Sequence, residues 1–374
     1  MRVLHCSDIH LDRPFAGLDR DAARERRAGL RSALERIVAL VAERRADLLT
    51  IAGDLWEDEH VTADTRRYVS HLLGRAGIPV LLAPGNHDPH VVGGHYARTA
   101  WPANVRIFER EEPEEVRFAN VAVWGVAWRG GRLDTGWLDG FHVPADGRTH
   151  VLLMHGSATR LRGDGAQQGD DRYAPFDPSA PARCGFALCL AGHYHDGWHD
   201  EGLVYPGSPE PLGWGETGLH SAAVIDIGPE GILVELVETA SIRFAERSID
   251  CEGAISSAEV SDRLAAGLTG VEAETTCLRV LLEGQVGVEC LVDPSALAAP
   301  HRARFAALEL RDLTGPAFAY DTLAARTDAS GHFVRALRTL AASTDDPRER
   351  EMLRIALDAG LHALEGRRQV ARVD

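Results

Sequence analysis

The fold class follows from the segment Val80-Leu81-Leu82-Ala83-Pro84-Gly85-Asn86-His87-Asp88, an apolar run that ends in a polar turn. The same arrangement occurs earlier, where the apolar run Leu48–Ala52 is followed by Gly53-Asp54. Helical patterns precede both runs, at about residues 21–45 and 62–75. Strands that alternate with helices predict a parallel sheet, whose ligand-binding residues lie at the carboxyl ends of the strands.

Further polar turns follow apolar runs at residues 3–6, 151–154 and 186–191. Residues i and i+2 of an extended segment lie on one face, so Asp8 pairs with His10, and His193 with His195. Because the carboxyl ends of parallel strands meet at one edge, all of these turns are predicted to form one site. The complete set of turns is Asp8-Ile9-His10, Gly53-Asp54, Gly85-Asn86-His87-Asp88, His155-Gly156 and Gly192-His193-Tyr194-His195.

Composition limits the class of protein. The 374 residues are 45% hydrophobic and 26% charged, which is typical of a globular protein with more than one domain. The formal charge of -16 argues against an autonomous nucleic-acid binder. The 6 cysteines form no C-x-x-C pair, which favours buried free thiols over disulfides. No signal peptide and no apolar run of about 20 residues is found, so no membrane span and a cytoplasmic location are expected.

The pattern changes after about Ser241. We predict a first domain at 1–240, a small α+β domain at 241–328 and a C-terminal helical segment at 329–374. Asp346-Pro347 is a typical helix start, and it precedes an apolar stripe. That stripe comprises Leu353, Leu357, Leu361 and Leu364.

The residue types of the turns indicate metal binding. Carboxylates, imidazoles and an amide oxygen suit Mn²⁺, Fe²⁺ or Zn²⁺, and the absence of thiolates argues against a structural zinc site. Each motif alone is weak, since an Asp-x-His at a strand end is usually solvated and Gly-Asp is a common turn. Their occurrence together, in this order, is what makes the prediction specific.

These ordered motifs resemble those of the calcineurin-like metallophosphoesterases, over about residues 1–230. The resemblance implies a four-layer α/β (α+β) β-sandwich flanked by helices. It also implies two divalent metal ions that share Asp54, with Mn²⁺ as the expected metal. One ion would be held by Asp8, His10, Asp54 and His195, and the other by Asp54, Asn86, His155 and His193. His87 would be a catalytic acid with Asp88 as its orienting partner, and the ions would activate water for attack on phosphorus.

Within that superfamily the chain looks most like the SbcD-type DNA repair exonucleases. The strings that carry this resemblance are Cys6–Asp12, Ala52–Leu55, Ala83–Asp88, Tyr205–Pro209 and Gly215–Gly218. The resemblance implies a DNA substrate, a C-terminal capping domain, a homodimer and an SbcC-like coiled-coil ATPase partner. The apolar stripe is a candidate contact for that ATPase, and packing on the protein's own capping domain is an equal alternative.

One position departs from that group. The nucleases usually carry a histidine shortly after the Gly-Asp motif, whereas this chain has Leu55-Trp56-Glu57-Asp58-Glu59. We interpret these acids as caps of the following helix, with repulsion of a phosphate backbone as the alternative. A small-molecule phosphodiesterase or phosphatase, and a non-catalytic scaffold of an ATPase complex, therefore stay open beside the DNA nuclease.

Overall fold

The computed structural model describes residues 1–16, 18, 20–131, 136–159, 173–200, 202–344 and 346–364. Contacts between residues divide the chain into two compact units, Met1–Arg243 and Phe244–Asp374. The predicted division after residue 240 and the separate segment 329–374 stay predictions.

The first unit is an α/β sandwich, and its elements follow the predicted alternation of strands and helices at the start. Its helices are α1 (Arg20–Glu43), α2 (Ala63–Gly74), α3 (His95–Arg98) and α4 (Ala180–Arg183). Its strands are β1 (Arg2–Cys6), β2 (Leu48–Ala52), β3 (Val80–Ala83), β4 (Val105–Ile107), β5 (Glu114–Arg117), β6 (Val121–Gly125), β7 (Thr149–His155), β8 (Leu188–Gly192), β9 (Trp198–His199), β10 (Leu203–Tyr205), β11 (Ser221–Gly228) and β12 (Gly231–Glu238).

Two six-stranded sheets form the sandwich, with the orders β12-β11-β1-β2-β3-β4 and β5-β6-β7-β8-β10-β9. The run β1-β2-β3-β4 is parallel, and so is β6-β7-β8-β10. Successive residues of a strand point to opposite faces of its sheet, and so they pack into different hydrophobic cores. Leu48 and Val151 lie in the core between the sheets, whereas Leu49 faces α1 and α2. The predicted sandwich of mixed sheets with helices outside is confirmed.

The outer face of the second sheet is covered differently from that of the first. Its core contains Ala180 of the short α4, together with Trp128, Phe176, Cys184 and Phe186 from connecting segments. The loop predicted at 157–181 lies partly outside the described residues, at 160–172, and its end forms the first turn of α4. All six cysteines are free, as predicted.

The second unit contains a three-stranded sheet of β13 (Arg243–Asp250), whose first residue still belongs to the first unit, β14 (Thr276–Glu283) and β16 (Ala307–Asp312). The short strands β15 (Gln285–Val286) and β17 (Gly315–Pro316) pair with each other. Its helices are α5 (Ser257–Gly267), α6 (Pro294–Ala298), α7 (Tyr320–Ala324), α8 (Ala329–Ser343) and α9 (Pro347–Leu364), with a 3₁₀ turn at Arg302–Arg304.

The apolar stripe of α9 is divided between core and surface. Leu357 and Leu361 are buried with Phe318 and Val334 in a core of the same unit. Leu364, in contrast, is 45% exposed. The two middle leucines of the stripe are therefore already buried against other residues of the second unit. Among the described residues, no helix is both long enough and apolar enough to span a membrane.

Candidate metal centre

The polar turns at the strand ends converge in the first unit, on one edge of the sandwich. Candidate ligand atoms lie within 4.8 Å of one another in three overlapping groups, which are Asp8-His10-His195, His10-Asp54-His87 and Asp8-Asp54-His155. Asn86 joins them, because its Oδ1 is 2.9 Å from Nε2 of His155. His193 joins them through its backbone N–H, which donates to Asp8 Oδ2 at 3.0 Å. The structure thus places every predicted site residue of these turns at this edge, although His193 contacts Asp8 through its backbone, and its ring centroid lies 5.3 Å from that of His155.

The backbone at these turns is unusual. Asp8, His10 and Asp54 have φ of 54°, 51° and 51°, a left-handed conformation that few non-glycine residues adopt. Gly53 follows β2 with φ of 74°, and a Cβ there would lie 2.6 Å from His155 Nδ1. Such strain persists only where the surrounding structure fixes it, and it concentrates at functional sites.

The histidines are held by one ring nitrogen so that the other faces the carboxylates. Nδ1 of His10 lies 3.0 Å from Glu57 Oε1, that of His195 lies 2.7 Å from Glu216 Oε1, and that of His155 lies 2.8 Å from the carbonyl of Ala52. A carbonyl can only accept and an ionised carboxylate does the same, so each Nδ1 carries the proton in a neutral ring. Such outer partners are typical of metal-binding histidines.

In neutral rings protonated on Nδ1, the Nε2 atoms of His10 and His155 are acceptors, and they face other acceptors. Nε2 of His10 is buried without a hydrogen-bond partner among the described residues and lies 3.6 Å from Asp54 Oδ2. Nε2 of His155 faces both Asp54 Oδ2, at 3.5 Å, and the amide oxygen of Asn86. Burial lowers the pKa of His10 to about 3 and also lowers that of His155, which keeps both rings neutral. A cation among these lone pairs would satisfy them, so the residues fit metal ions.

The two central carboxylates also favour a cation. Burial raises the pKa of Asp8, and burial together with the nearby Asp88 raises the pKa of Asp54 well above its usual range. Both shifts arise because negative charge is costly in this desolvated position. Positive metal charge would remove that cost.

His87 and Glu57 form a pair at the rim. Glu57 bridges two histidines, since its Oε2 is 2.7 Å from His87 Nδ1 and its Oε1 is 3.0 Å from His10 Nδ1. Arg13 adds a contact of 3.2 Å to Oε1. The hydrogen bond to Glu57 raises the pKa of His87 to about 9. Burial opposes ionisation of Glu57, but hydrogen bonds with the two histidines outweigh it and lower its pKa.

The predicted roles of Glu57 and Asp88 are therefore wrong. Glu57 does not cap the following helix, because Thr62 occupies the N-cap and accepts from Thr65 N. Asp88 does not orient His87. Its buried oxygens instead accept from the backbone N–H groups of residues 54, 55 and 85 at 2.6–3.0 Å, and from the hydroxyl of Tyr96 at 2.6 Å. Burial raises the pKa of Asp88 to about 7.

Sequence reasoning missed three supporting groups. Glu216 lies within a quoted string, but nothing in that string indicated a hydrogen bond to His195. The carbonyl of Ala52 accepts from His155, and the hydroxyl of Tyr96 donates to Asp88. Nothing in the sequence around either residue indicates these contacts, because the partners lie elsewhere in the chain. The division of the turn residues into ligands of a first and a second ion stays a prediction.

Comparison with known proteins adds the following. A family model described as "Calcineurin-like phosphoesterase" matches residues 1–197, more than half of the 374-residue chain. The chain is 24% identical over 266 residues to the uncharacterized metallophosphoesterase YhaO of Bacillus subtilis (strain 168), covering 67% of this chain and 63% of YhaO. It is 38% identical over 91 residues to the DNA double-strand break repair protein Mre11 of Aeropyrum pernix, covering 23% of this chain and 21% of Mre11.

The chain thus spans less than two thirds of the length of either relative. Among solved structures, TT1561 of Thermus thermophilus is matched with a TM-score of 0.38 and 15% identity, over 63% of this chain and 98% of that one. A dimetal phosphatase from Danio rerio is matched with a TM-score of 0.39 and 12% identity, over 63% and 95% of the two chains.

Proposed function

This chain belongs to the calcineurin-like phosphoesterase family and is a phosphoester hydrolase, and on that premise we propose that it is a Mn²⁺-dependent DNA nuclease. The observation that carries the proposal is the convergence of carboxylate, imidazole and amide groups at the strand ends, beside a protonated histidine at the rim. The matched stretch of the Aeropyrum pernix DNA repair protein supports DNA as the substrate.

In this proposal two divalent ions share Asp54. Asp8, His10 and His195 complete one set of ligands, and three further residues complete the other, namely Asn86, His155 and His193. When bound, the ions supply Lewis-acid activation of phosphate and water. Glu57, Glu216 and the carbonyl of Ala52 keep the histidine rings in place, because each accepts from a ligand's Nδ1.

In this mechanism His87 donates a proton to the leaving group. The alkoxide that leaves a phosphodiester is strongly basic, so its departure benefits from a positioned acid. The side chain of His87 is 42% exposed, which leaves it accessible to a substrate at the rim. Because Glu57 occupies Nδ1 and keeps the ring protonated, Nε2 is the atom that delivers the proton.

The direct test uses purified protein loaded with Mn²⁺ and incubated with single-stranded and duplex DNA. We expect cleavage that is lost in Asp54→Asn and strongly reduced in His87→Ala. Glu59→Gln, which removes a nearby exposed charge, is the matched control and should keep full activity. Absence of cleavage above the Asp54→Asn background, on every DNA form, would refute the nuclease assignment.

The proposal extends to partners. We propose a homodimer that acts with an SbcC-like coiled-coil ATPase, as the resemblance of the sequence implies. Light scattering of the full chain tests the dimer. Co-purification with a co-expressed ATPase of that type, and stimulation of DNA cleavage by ATP, test the complex.

A small-molecule phosphodiesterase or phosphatase is the second candidate, and the charge of -16 favours it, because such a surface repels a polyanion. Comparing kcat/KM for cyclic nucleotides, phosphomonoesters and a DNA dinucleotide separates the two candidates. Turnover of a small ester far above that of DNA would establish the second. A non-catalytic scaffold is the third hypothesis, and hydrolysis of an activated aryl phosphodiester would exclude it.

A further inference from the structure

A basic groove lies between α2 and the segment 98–102, outside the metal centre. Its volume is about 680 Å³. The basic and aromatic side chains that line it are Arg66, Arg67, His71, Arg75, Arg98 and Trp101. Among the described residues that line it there is no acid. In a chain with 56 acidic and 40 basic residues, such a concentration of one sign is unusual.

The arginines of the groove are poorly neutralised. Arg67 lies 3.5 Å from Asp64, and both side chains are largely exposed, so that pair is weak. In the described part of the chain, no carboxylate lies within ion-pair distance of Arg66, Arg75 or Arg98. The Nε of Arg66 is moreover buried and has no hydrogen-bond partner among these residues. The guanidinium groups of Arg75 and Arg98, which are exposed residues, are therefore available to an anionic ligand.

The frame of the groove is fixed by hydrogen bonds rather than by the arginines. Ser70 Oγ donates to the carbonyl of Ala100 at 2.6 Å, which ties α2 to the facing segment. Trp101 Nε1 donates to the carbonyl of Tyr96 at 3.1 Å, and its ring stacks near Trp56 at 6.2 Å. The charged side chains are therefore displayed on a rigid support.

The spacing of the cations suits an extended ligand. Arg67, His71 and Arg75 follow one another at i, i+4 and i+8, and so form one stripe along α2. Arg98, from the segment 98–102, lines the same groove. Guanidinium groups bind phosphate oxygens with two parallel hydrogen bonds, which a row of phosphates can satisfy repeatedly.

We propose that this groove binds the sugar-phosphate backbone of a nucleic-acid strand, outside the site of hydrolysis. This inference rests on the proposed nuclease function, and it accounts for how a protein of charge -16 holds a polyanion. Contacts of this kind position a strand without reading its sequence.

The test measures binding of a fluorescein-labelled single strand by anisotropy, in EDTA so that no hydrolysis occurs, from 0.05 to 0.3 M KCl. The groove variant is Arg66→Gln/Arg75→Gln/Arg98→Gln. The slope of log K against log salt is negative, and each lost phosphate contact reduces its magnitude by about 0.7. Three lost contacts therefore reduce the magnitude by about 2. If affinities converge at 1 M salt, that slope change raises Kd about 100-fold at 0.1 M.

The matched control is Arg20→Gln/Arg24→Gln/Arg45→Gln, which changes net charge equally on and just after α1 and should alter Kd and slope little. Equal Kd and slope for the two triple variants would overturn the proposal, and so would tighter binding of a phosphate-free acidic peptide than of DNA. Should the triple variant misfold, Arg75→Gln and Arg98→Gln, both at exposed positions, should each reduce the magnitude of the slope by about 0.7.

Failure of the groove and failure of the nuclease assignment are distinguishable. Hydrolysis of bis(p-nitrophenyl) phosphate reports the metal centre alone and should be the same in wild type and groove variant. A wild type that cleaves DNA, with a groove variant unchanged in DNA affinity, refutes only the groove. A wild type that binds DNA through the groove but never cleaves it refutes only the nuclease.

Discussion

Replacing Glu57 by glutamine should separate the two tasks that this side chain performs. The carboxylate accepts from His87 and His10 at 2.7 and 3.0 Å, and its charge helps to hold the pKa of His87 at about 9. Glutamine has one acceptor oxygen and no charge, so the pKa of His87 should fall toward its ordinary value of 6.5. The acid form, on which proton donation depends, would then be lost at lower pH.

The size of the effect follows from the two pKa values. At pH 8 a group with a pKa of about 9 is about 90% protonated, whereas one with the ordinary value of 6.5 is about 3% protonated. The variant should therefore lose up to about 30-fold in kcat at pH 8, and less than about twofold at pH 6. The raised pKa of His87 preserves its acid form, so activity of the wild type falls as the pH rises through about 9. In the variant this loss of activity should occur at a lower pH.

The assay is kcat against pH for two diesters with Mn²⁺ at saturation. A thymidine dinucleotide expels an alkoxide that needs a proton, whereas thymidine 5′-(p-nitrophenyl phosphate) expels an aryl oxide that does not. Only the dinucleotide profile should shift, and Glu59→Gln should leave both unchanged. An equal loss for both substrates, accompanied by a lower metal content, would show that Glu57 acts only through His10 and would refute the reasoning about His87.

Three further predictions concern stability. Asp88→Ala leaves three backbone N–H groups and the Tyr96 hydroxyl without an acceptor, so urea denaturation should show a loss of about 3–5 kcal/mol, against about 1 kcal/mol for Tyr96→Phe. Mn²⁺ at about 100 times its Kd should stabilise the fold by about 2.7 kcal/mol in calorimetry, and Asp8→Ala should abolish the shift in Tm. Leu361→Ala, at a fully buried position, should cost about 2–5 kcal/mol in denaturant titrations, whereas Leu364→Ala should change little.

Much of the first unit could be predicted because its signals are local. Apolar runs with a polar end, such as Leu48–Asp54, define a strand and its carboxyl terminus, and parallel pairing then forces the ends together. The partner of β1 on its other side could not be predicted in this way. The antiparallel pairing of Leu4 with Val224 depends on the whole path of the intervening chain. Hydrophobic alternation does not encode that choice.

The errors at the site have one physical cause. Acids before a helix are usually caps, and the family resemblance implied that Asp88 orients His87, so both side chains were assigned partners close to them in sequence. In the fold, both side chains bond to groups from other segments, at separations of 47 residues for Glu57 with His10 and 34 for Asp88 with Asp54. Buried charge is stabilised by whatever donors surround it, and tertiary packing decides which donors those are.

The distribution of the site over both sheets has a consequence for the synthesis of the protein. The bond from His193 N to Asp8 closes across 185 residues, and Glu216, which holds His195, follows later still. A nascent chain that ends before these residues emerge carries Asp54 and His155 but lacks His193 and His195, the two candidate ligands that follow β8. We expect a fragment ending at residue 190 to bind no Mn²⁺ in calorimetric titration, whereas the full chain binds it. Hydrolytic capacity would thus arise late in translation, when most of the first unit is already outside the ribosome.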